Sequence, residues 1–279
     1  MIQSLEHHTL INKEVIKRLI DSAQINDEDL VLEIGAGEGN ITKELCTKAK
    51  FVVAVEKDAK CVEALKLFIT PNFNNKSEIV KFGECTEGLL CNKSNVLQYK
   101  QENLQIIEGD FLEVKIPPWN KIVANPPFNI LEPLMYYLSK RIFDCVVLIV
   151  GENFANELIN EEKTRVSILS KSYFQVEFVE QLSKKDFQPS PKTSTAMIKI
   201  IPKNKDSLNQ TELFFREFFD QRDKTIKNSF IESCTRVLKM TQRQAKEKFN
   251  SLEIVGDKKV LLVKNEELIN MSQAINSQK

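Results

Sequence analysis

Asn125-Pro126-Pro127-Phe128 follows the short apolar run Ile122-Val123-Ala124, which reads as a strand. A side-chain amide, two prolines and an aromatic ring at a strand end suit one reaction, the activation of an exocyclic ring amine. The amine of adenine is a poor nucleophile because its lone pair is delocalised into the purine. The amide oxygen of Asn125 and the backbone carbonyl of Pro126 can accept its two hydrogens. The nitrogen then pyramidalises and regains its lone pair, while the Phe128 ring stacks on the base and holds it still for attack on a methyl donor. The same four residues also fit an ordinary strand-ending turn, since proline cannot continue a ladder.

A second cluster is Glu33-Ile34-Gly35-Ala36-Gly37-Glu38-Gly39, between an expected strand over 30–34 and a helix beginning near Ile41. Glycines allow a sharp turn and close approach of a ligand to the main chain. Asn40 stands where a dinucleotide fingerprint needs its last glycine, so that pattern fails. A Gly-x-Gly-x-Gly turn after an acidic residue suits a cofactor without pyrophosphate, S-adenosylmethionine, with Gly35 and Gly37 against it. Glu56, at the tip of the strand over 51–56, can accept the ribose hydroxyls. Asp110, after the strand over 104–107, can reach the cofactor's adenine amine. Helix and turn capping are the alternative roles for these two. With Asn125 they lie at successive strand tips, where open parallel sheets bind ligands.

Positioning these residues takes alternating strands and helices. Val15, Ile16, Leu19, Ile20 and Ala23 share one helical face. The helix through Val62 and Leu65, the helix over 131–138 and the strand over 145–150 continue the alternation. Strands over 174–180 and 196–201 close it as an antiparallel edge pair. The expected fold is α/β, a Rossmann-like, mostly parallel seven-stranded sheet covered on both faces. Residues 69–103, rich in Asn, Lys and Ser, are too long for a compact connection and read as a surface insertion. After the linker 203–207, residues 211–275 have helical spacing and form a small all-α domain. The expected boundary divides 1–203 from 204–279.

Composition narrows the class. At 42% hydrophobic and 28% charged, with no apolar run near the ~20 residues of a membrane span, the chain reads as a globular protein off the membrane. Its start shows no signal or transit pattern, so cytoplasm is the expected location. Six cysteines form no CxxC pair and read as reduced thiols; only Cys85 and Cys91 are close enough in sequence to suggest a metal or disulfide. Residues 1–182 carry 20 basic against 27 acidic side chains, net −7, and residues 183–279 carry 19 against 12, net +7. A polyanion would therefore meet the C-terminal part, unless its lysines only solvate helix faces.

From about His8 to Asn228 the chain resembles the ribosomal RNA adenine N6,N6-dimethyltransferases of the KsgA and Erm type. The family's Asn-Leu-Pro-Tyr, with Asn-Ile and Pro-Leu-Met after it, is matched by Asn125-Pro126-Pro127-Phe128, Asn129-Ile130 and Pro133-Leu134-Met135. Its Phe-x-Pro-x-Pro-Lys-Val-x-Ser is similar to Phe187-Gln188-Pro189-Ser190-Pro191-Lys192-Thr193-Ser194-Thr195. Its Gln-Arg-Arg-Lys-Thr-Ile-Arg-Asn-Ser is similar to Gln221-Arg222-Asp223-Lys224-Thr225-Ile226-Lys227-Asn228-Ser229. The last two segments are not general to methyltransferases.

The resemblance implies dimethylation of two adjacent small-subunit rRNA adenines, with S-adenosyl-L-methionine as methyl donor. It implies cofactor contacts at Gly35, Glu56, Asp110 and Asn125, and at Thr9 and Ile11 of a loop whose two polar family residues differ here. It places Phe187 as a second aromatic near the base; the charge imbalance adds the expectation that the basic C-terminal part, including Lys192, Arg222, Lys224 and Lys227, contacts RNA phosphates. Asp223 replaces a family arginine. The implied partner is ribosomal RNA within a small-subunit assembly intermediate, met by a monomer without a metal. Two other functions use this fold: non-catalytic nucleic-acid binding, as in the mitochondrial transcription factor B relatives, and N6-adenine methylation of DNA.

Overall fold

The computed structural model describes residues 8–69, 97–101, 103–160 and 164–276, with 68–69 and 97–101 as backbone alone. Cys85, Cys91 and most of the 69–103 segment lie outside the described residues. The chain runs β1 (Thr9–Leu10), α1 (Lys13–Ser22), β2 (Leu30–Ile34), α2 (Asn40–Cys46), β3 (Phe51–Glu56), α3 (Ala59–Ile69), β4 (Leu97–Gln101), β5 (Leu104–Glu108) and β6 (Lys121–Ala124). It continues with α4 (Leu131–Leu138), β7 (Cys145–Gly151), α5 (Glu152–Ile159), α6 (Arg165–Tyr173), β8 (Phe174–Leu182), β9 (Phe187–Gln188) and β10 (Thr195–Pro202). Helices α7 (Gln210–Asp220), α8 (Ile226–Val237), α9 (Gln242–Asn250) and α10 (Asn265–Asn276) follow.

Among the described residues the sheet has eight strands in the order β4-β5-β3-β2-β6-β7-β10-β8, not the expected seven. The extra strand is β4, which comes from the segment read as an insertion and pairs antiparallel with β5. Its sequence, Leu97-Gln98-Tyr99-Lys100-Gln101, has one aliphatic residue and no run of apolar residues, so it gave no strand signal. Strands β5, β3, β2, β6 and β7 are parallel, and β10 is antiparallel to β7. Their aliphatic runs are buried almost completely, as expected where helices cover both faces of a sheet. Helix α1 buries Val15, Ile16, Leu19 and Ile20, and its N-cap Asn12 accepts from Glu14 N.

At the amino end of the sheet Asp29 accepts from Lys121 Nζ at 2.9 Å, with both side chains at most 10% exposed. Asn120 joins them by donating to Asp29 at 2.8 Å and accepting from Leu30 N at 2.7 Å. At the carboxyl end, β3 and β6 lie on opposite sides of β2. The chain therefore reverses its direction across the sheet between β2 and β6, and such a reversal opens a ligand crevice.

Contacts divide the chain into two units. One comprises the chain to Leu134 with Arg141–Ala155 and Glu177–Ile200 and holds the crevice. The other comprises Met135–Lys140, Asn156–Val176 and everything from Ile201 onward. Its core is aromatic. Phe214, Phe215, Phe218 and Phe219 form the buried face of α7 and meet Phe230 of α8, which meets Phe249 of α9. Asn209, Thr225 and Thr241 cap the three helices with side-chain oxygens, a sequence-local reason for where each begins.

Candidate active site

The turn after β2 has Gly35, Gly37 and Gly39 at φ +73°, +55° and +90°. Those values favour glycine at all three positions. Gly35 has a second constraint. A Cβ there would lie 3.1 Å from Pro127 Cδ and 3.7 Å from Pro126 Cα, so its absence lets the Asn125–Phe128 segment close on the turn.

Two carboxyl groups lie beside this turn. Glu56 is 2% exposed; its Oε2 accepts from Gly37 N, and its Oε1 from Lys57 N and Asp58 N, all at 2.8 Å. Three of its four lone pairs are thus used, which leaves one on Oε2 for a hydroxyl donor. Glu33 is buried and accepts from Thr42 Oγ1. Burial pushes its carboxyl up to about 8; the Thr42 bond opposes the shift and the charge of Glu56 adds to it. Asp110 accepts from Lys57 Nζ at 2.9 Å and Leu112 N at 3.0 Å. Burial raises it, but the Lys57 and Leu112 bonds outweigh burial and hold it below the usual carboxylate range.

Across the crevice, Asn125 Nδ2 donates to His8 O at 2.8 Å. That bond commits the amide nitrogen and leaves Oδ1 as the acceptor for an incoming amine. Phe128 is 42% exposed, and its ring lies over Gly151, with Cε2 3.6 Å from where a Cβ would stand. Phe187 is buried, in β9, which pairs antiparallel with β1. Asn40 Nδ2 donates to Leu10 O at 2.9 Å, and Ile11 N donates to Asp186 O at 2.8 Å. The loop before α1 is therefore tied both to the glycine turn and to the segment carrying Phe187.

These groups enclose a cavity of about 720 Å³. Of the predicted cofactor residues, Thr9, Gly35, Gly37 and Asn125 line it. Of the predicted substrate residues, Pro126, Phe128, Phe187 and Lys192 do. Glu56, beside the turn, and Asp110, beside Lys57, are off this wall, and Ile11 is also off it, 45% exposed. Arg222, Lys224 and Lys227 are exposed in the other unit, where Lys224 donates to Glu232. Sequence reasoning missed Asn40, Cys61 and Thr195 on the wall. Asn40 opens a helix after a glycine run and Thr195 ends the Phe187 motif, so both carried a positional signal; Cys61 carried none.

The cavity is in the size range of a cofactor site. A backbone cradle, a buried carboxylate with one open lone pair and a buried carboxyl that a cation would ionise together fit a positively charged nucleoside such as S-adenosylmethionine.

A family model described as "Ribosomal RNA adenine dimethylase" matches residues 3–277. The chain is 30% identical over 234 residues to the probable ribosomal RNA small subunit methyltransferase A of Thermococcus sibiricus, covering 82% of this chain and 75% of that protein. It is 28% identical over 251 residues to the corresponding protein of Pyrococcus furiosus, covering 88% and 81%. A dimethyladenosine transferase from Plasmodium falciparum superposes with a TM-score of 0.60 at 22% identity, covering 97% of this chain and 98% of that one. The 23S rRNA methyltransferase ErmE gives 0.57 at 19%, covering 96% and 99%. At these identities the two structures establish the fold.

Proposed function

The chain belongs to the ribosomal RNA adenine dimethylase family, and from that we propose that it transfers methyl groups from S-adenosyl-L-methionine to N6 of adenine in ribosomal RNA. The finer reading is dimethylation of two adjacent small-subunit adenines, carried out by a monomer in the cytoplasm on an assembly intermediate. Among the described residues no helix is long and apolar enough to cross a membrane. The net charge of +7 over residues 183–279 supports RNA docking through the helices after residue 203, at Arg222, Lys224 and Lys227, with Lys192 nearer the base.

The bound cofactor supplies a methyl group on a cationic sulfur. Everything else is the work of this chain. Gly35 and Gly37 let the backbone meet the cofactor closely, and the open lone pair of Glu56 Oε2 takes a ribose hydroxyl. Thr9 lines the same cavity. Asp110 can receive the cofactor's adenine amine once its bond from Lys57 is shared. Asn125 Oδ1 and Pro126 O accept the two hydrogens of the target amine, which returns the lone pair to nitrogen. Phe128 and Phe187 hold the base after it leaves its stack, a step that costs a few kcal/mol.

The observation that carries this reading is the Asn125 Nδ2 to His8 O bond, because it leaves Oδ1 as the acceptor that a target amine would need. The test is transfer of labelled methyl to small-subunit rRNA, with mass mapping of the modified adenines. Wild-type enzyme should yield N6,N6-dimethyladenosine. Asn125→Ala should lose about 10²–10³ in kcat, the scale for one donor–acceptor contact made in a transition state. Near-normal turnover in that variant would refute the role.

A further inference from the structure

Thr195 is the first residue of β10 and is 2% exposed, yet its Oγ1 has no hydrogen-bond partner among the described residues. Buried hydroxyls are nearly always paired, because leaving one unpaired is costly. Ser170, Arg216, Gln221 and Ser233 also have an unpaired buried atom, but none of them lines the cavity; Thr195 does.

Its place in the sheet says which ligand it serves. The glycine turn and Glu56 lie on β2 and β3, and Asn125 follows β6. Phe128 rests on Gly151 at the end of β7, and Gly151 is the register partner of Thr195. Because β10 is antiparallel to β7, its first residue is level with the carboxyl end of β7. The bond from Glu152 N to Ser194 O, 2.9 Å, fixes that level. Thr195 therefore stands two strands beyond Asn125, on the side away from the cofactor turn and beside the ring that stacks on the base.

We propose that Thr195 is a base-binding residue whose hydroxyl donates to a ring nitrogen of the target adenine. The inference rests on the proposed activity. In that activity both amine hydrogens already have acceptors, Asn125 Oδ1 and Pro126 O. The groups beside the amine that still need a partner are N1 and N7, and both are acceptors. A hydroxyl donor satisfies either one and is itself satisfied. The bond exists before and during methyl transfer, so it strengthens substrate binding and leaves the chemical step unchanged.

The test is steady-state kinetics of Thr195→Val and Thr195→Ser on an rRNA substrate, with cofactor affinity by calorimetry and thermal stability of each variant. Valine keeps the shape and removes the hydroxyl. It should raise KM for RNA about fivefold, the scale of one neutral hydrogen bond. It should leave kcat within about twofold, cofactor affinity unchanged and Tm not lowered. Serine should restore KM. A second arm uses wild-type enzyme on substrates carrying 1-deazaadenine or 7-deazaadenine at the target. One of the two should reproduce the KM increase, and Thr195→Val should add nothing on it. An unchanged KM for Thr195→Val, no rescue by serine, or normal KM on both analogues would each overturn the inference. Wild-type enzyme that leaves rRNA adenine unmethylated would instead sink the activity reading itself.

Discussion

Glu33 offers a quantitative test of how the cavity holds a cation. Its carboxyl is buried, lines the cavity, and is pushed up to about 8 by burial, with Thr42 opposing and Glu56 adding. At neutral pH it therefore carries a proton in the free protein. A cation brought into the cavity favours the ionised form and expels that proton. If ionisation is complete on binding, about nine-tenths of a proton is released per cofactor at pH 7, and affinity rises roughly tenfold per pH unit below 8. The cofactor's own α-amino group, like α-amino groups generally, titrates near 8, so the comparison belongs between pH 6 and 7, where that group stays charged.

Glu33→Gln mimics the protonated form and keeps an oxygen for Thr42. Its affinity should be nearly flat over that range. Calorimetry in buffers of different ionisation enthalpy reads the proton directly. The folding signs are opposite to those of an ordinary salt-bridged acid. A carboxyl raised in the folded state stabilises below its unfolded pKa, and that stability is lost as pH rises through the folded value. Wild type should thus weaken between about pH 4.5 and 8 relative to Glu33→Gln in the absence of cofactor. Equal binding heats in all buffers, with parallel pH profiles for the two proteins, would refute the linkage.

Asp29→Asn should cost about 3–5 kcal/mol, because it leaves the buried Lys121 ammonium without its carboxylate. Burial raises Asp29, but bonds from Lys121, Asn120 and Asn26 bring it net below the ordinary value, so its contribution is present above the unfolded pKa and lost as pH falls through the folded one. Acid titration of stability in the two proteins checks both points. Gly35→Ala should cost about 1–2 kcal/mol for a side chain in the left-handed region. It should also press on Pro127 and so lower kcat more than cofactor affinity, as read from single-turnover rates. Replacing Arg222, Lys224 and Lys227 together should flatten the log–log salt dependence of RNA binding. Lys224 is already paired with Glu232, so the change should be nearer two lost contacts than three, a slope reduced by ~1.4–1.8. An unchanged slope would move the RNA elsewhere.

Residues that act through strand position were legible in sequence. Asn125 follows a short apolar strand, and Gly35 and Gly37 sit between a strand and a helix, so the sequence alone puts both segments at strand tips. What escaped depended on partners far away in the chain. Asn125 needs His8 O, 117 residues away, to set its amide orientation. Glu56 looked free for two ribose hydroxyls, but the backbone N–H groups of Lys57, Asp58 and, from the glycine turn, Gly37 take three of its lone pairs. Asp110 looked wholly free for an adenine amine and also holds Lys57. Single residues announce their chemistry; hydrogen bonds decide how much of it is left for a ligand. Strand β4 escaped for the opposite reason, since an edge strand has little apolar pattern to read.

The reversal between β2 and β6 divides the crevice by chemistry. On the β2–β3 side lie Glu33 and Glu56, acidic groups suited to a cationic, hydroxyl-bearing nucleoside. On the β6–β7–β10 side lie an amide oxygen, aromatic rings and a neutral hydroxyl, suited to an uncharged base. The two ligands need opposite electrostatics, because one must be held as a cation while the other must become a nucleophile without losing a proton first. An acid close to the amine would protonate it or compete for its lone pair. A carboxylate would accept its hydrogens more strongly than an amide does, but it would add a negative charge to a cavity that already holds the Glu33 carboxyl. Asn125 suits both demands: its oxygen is an acceptor, its charge is zero, and one of its amide hydrogens goes to the backbone carbonyl of His8.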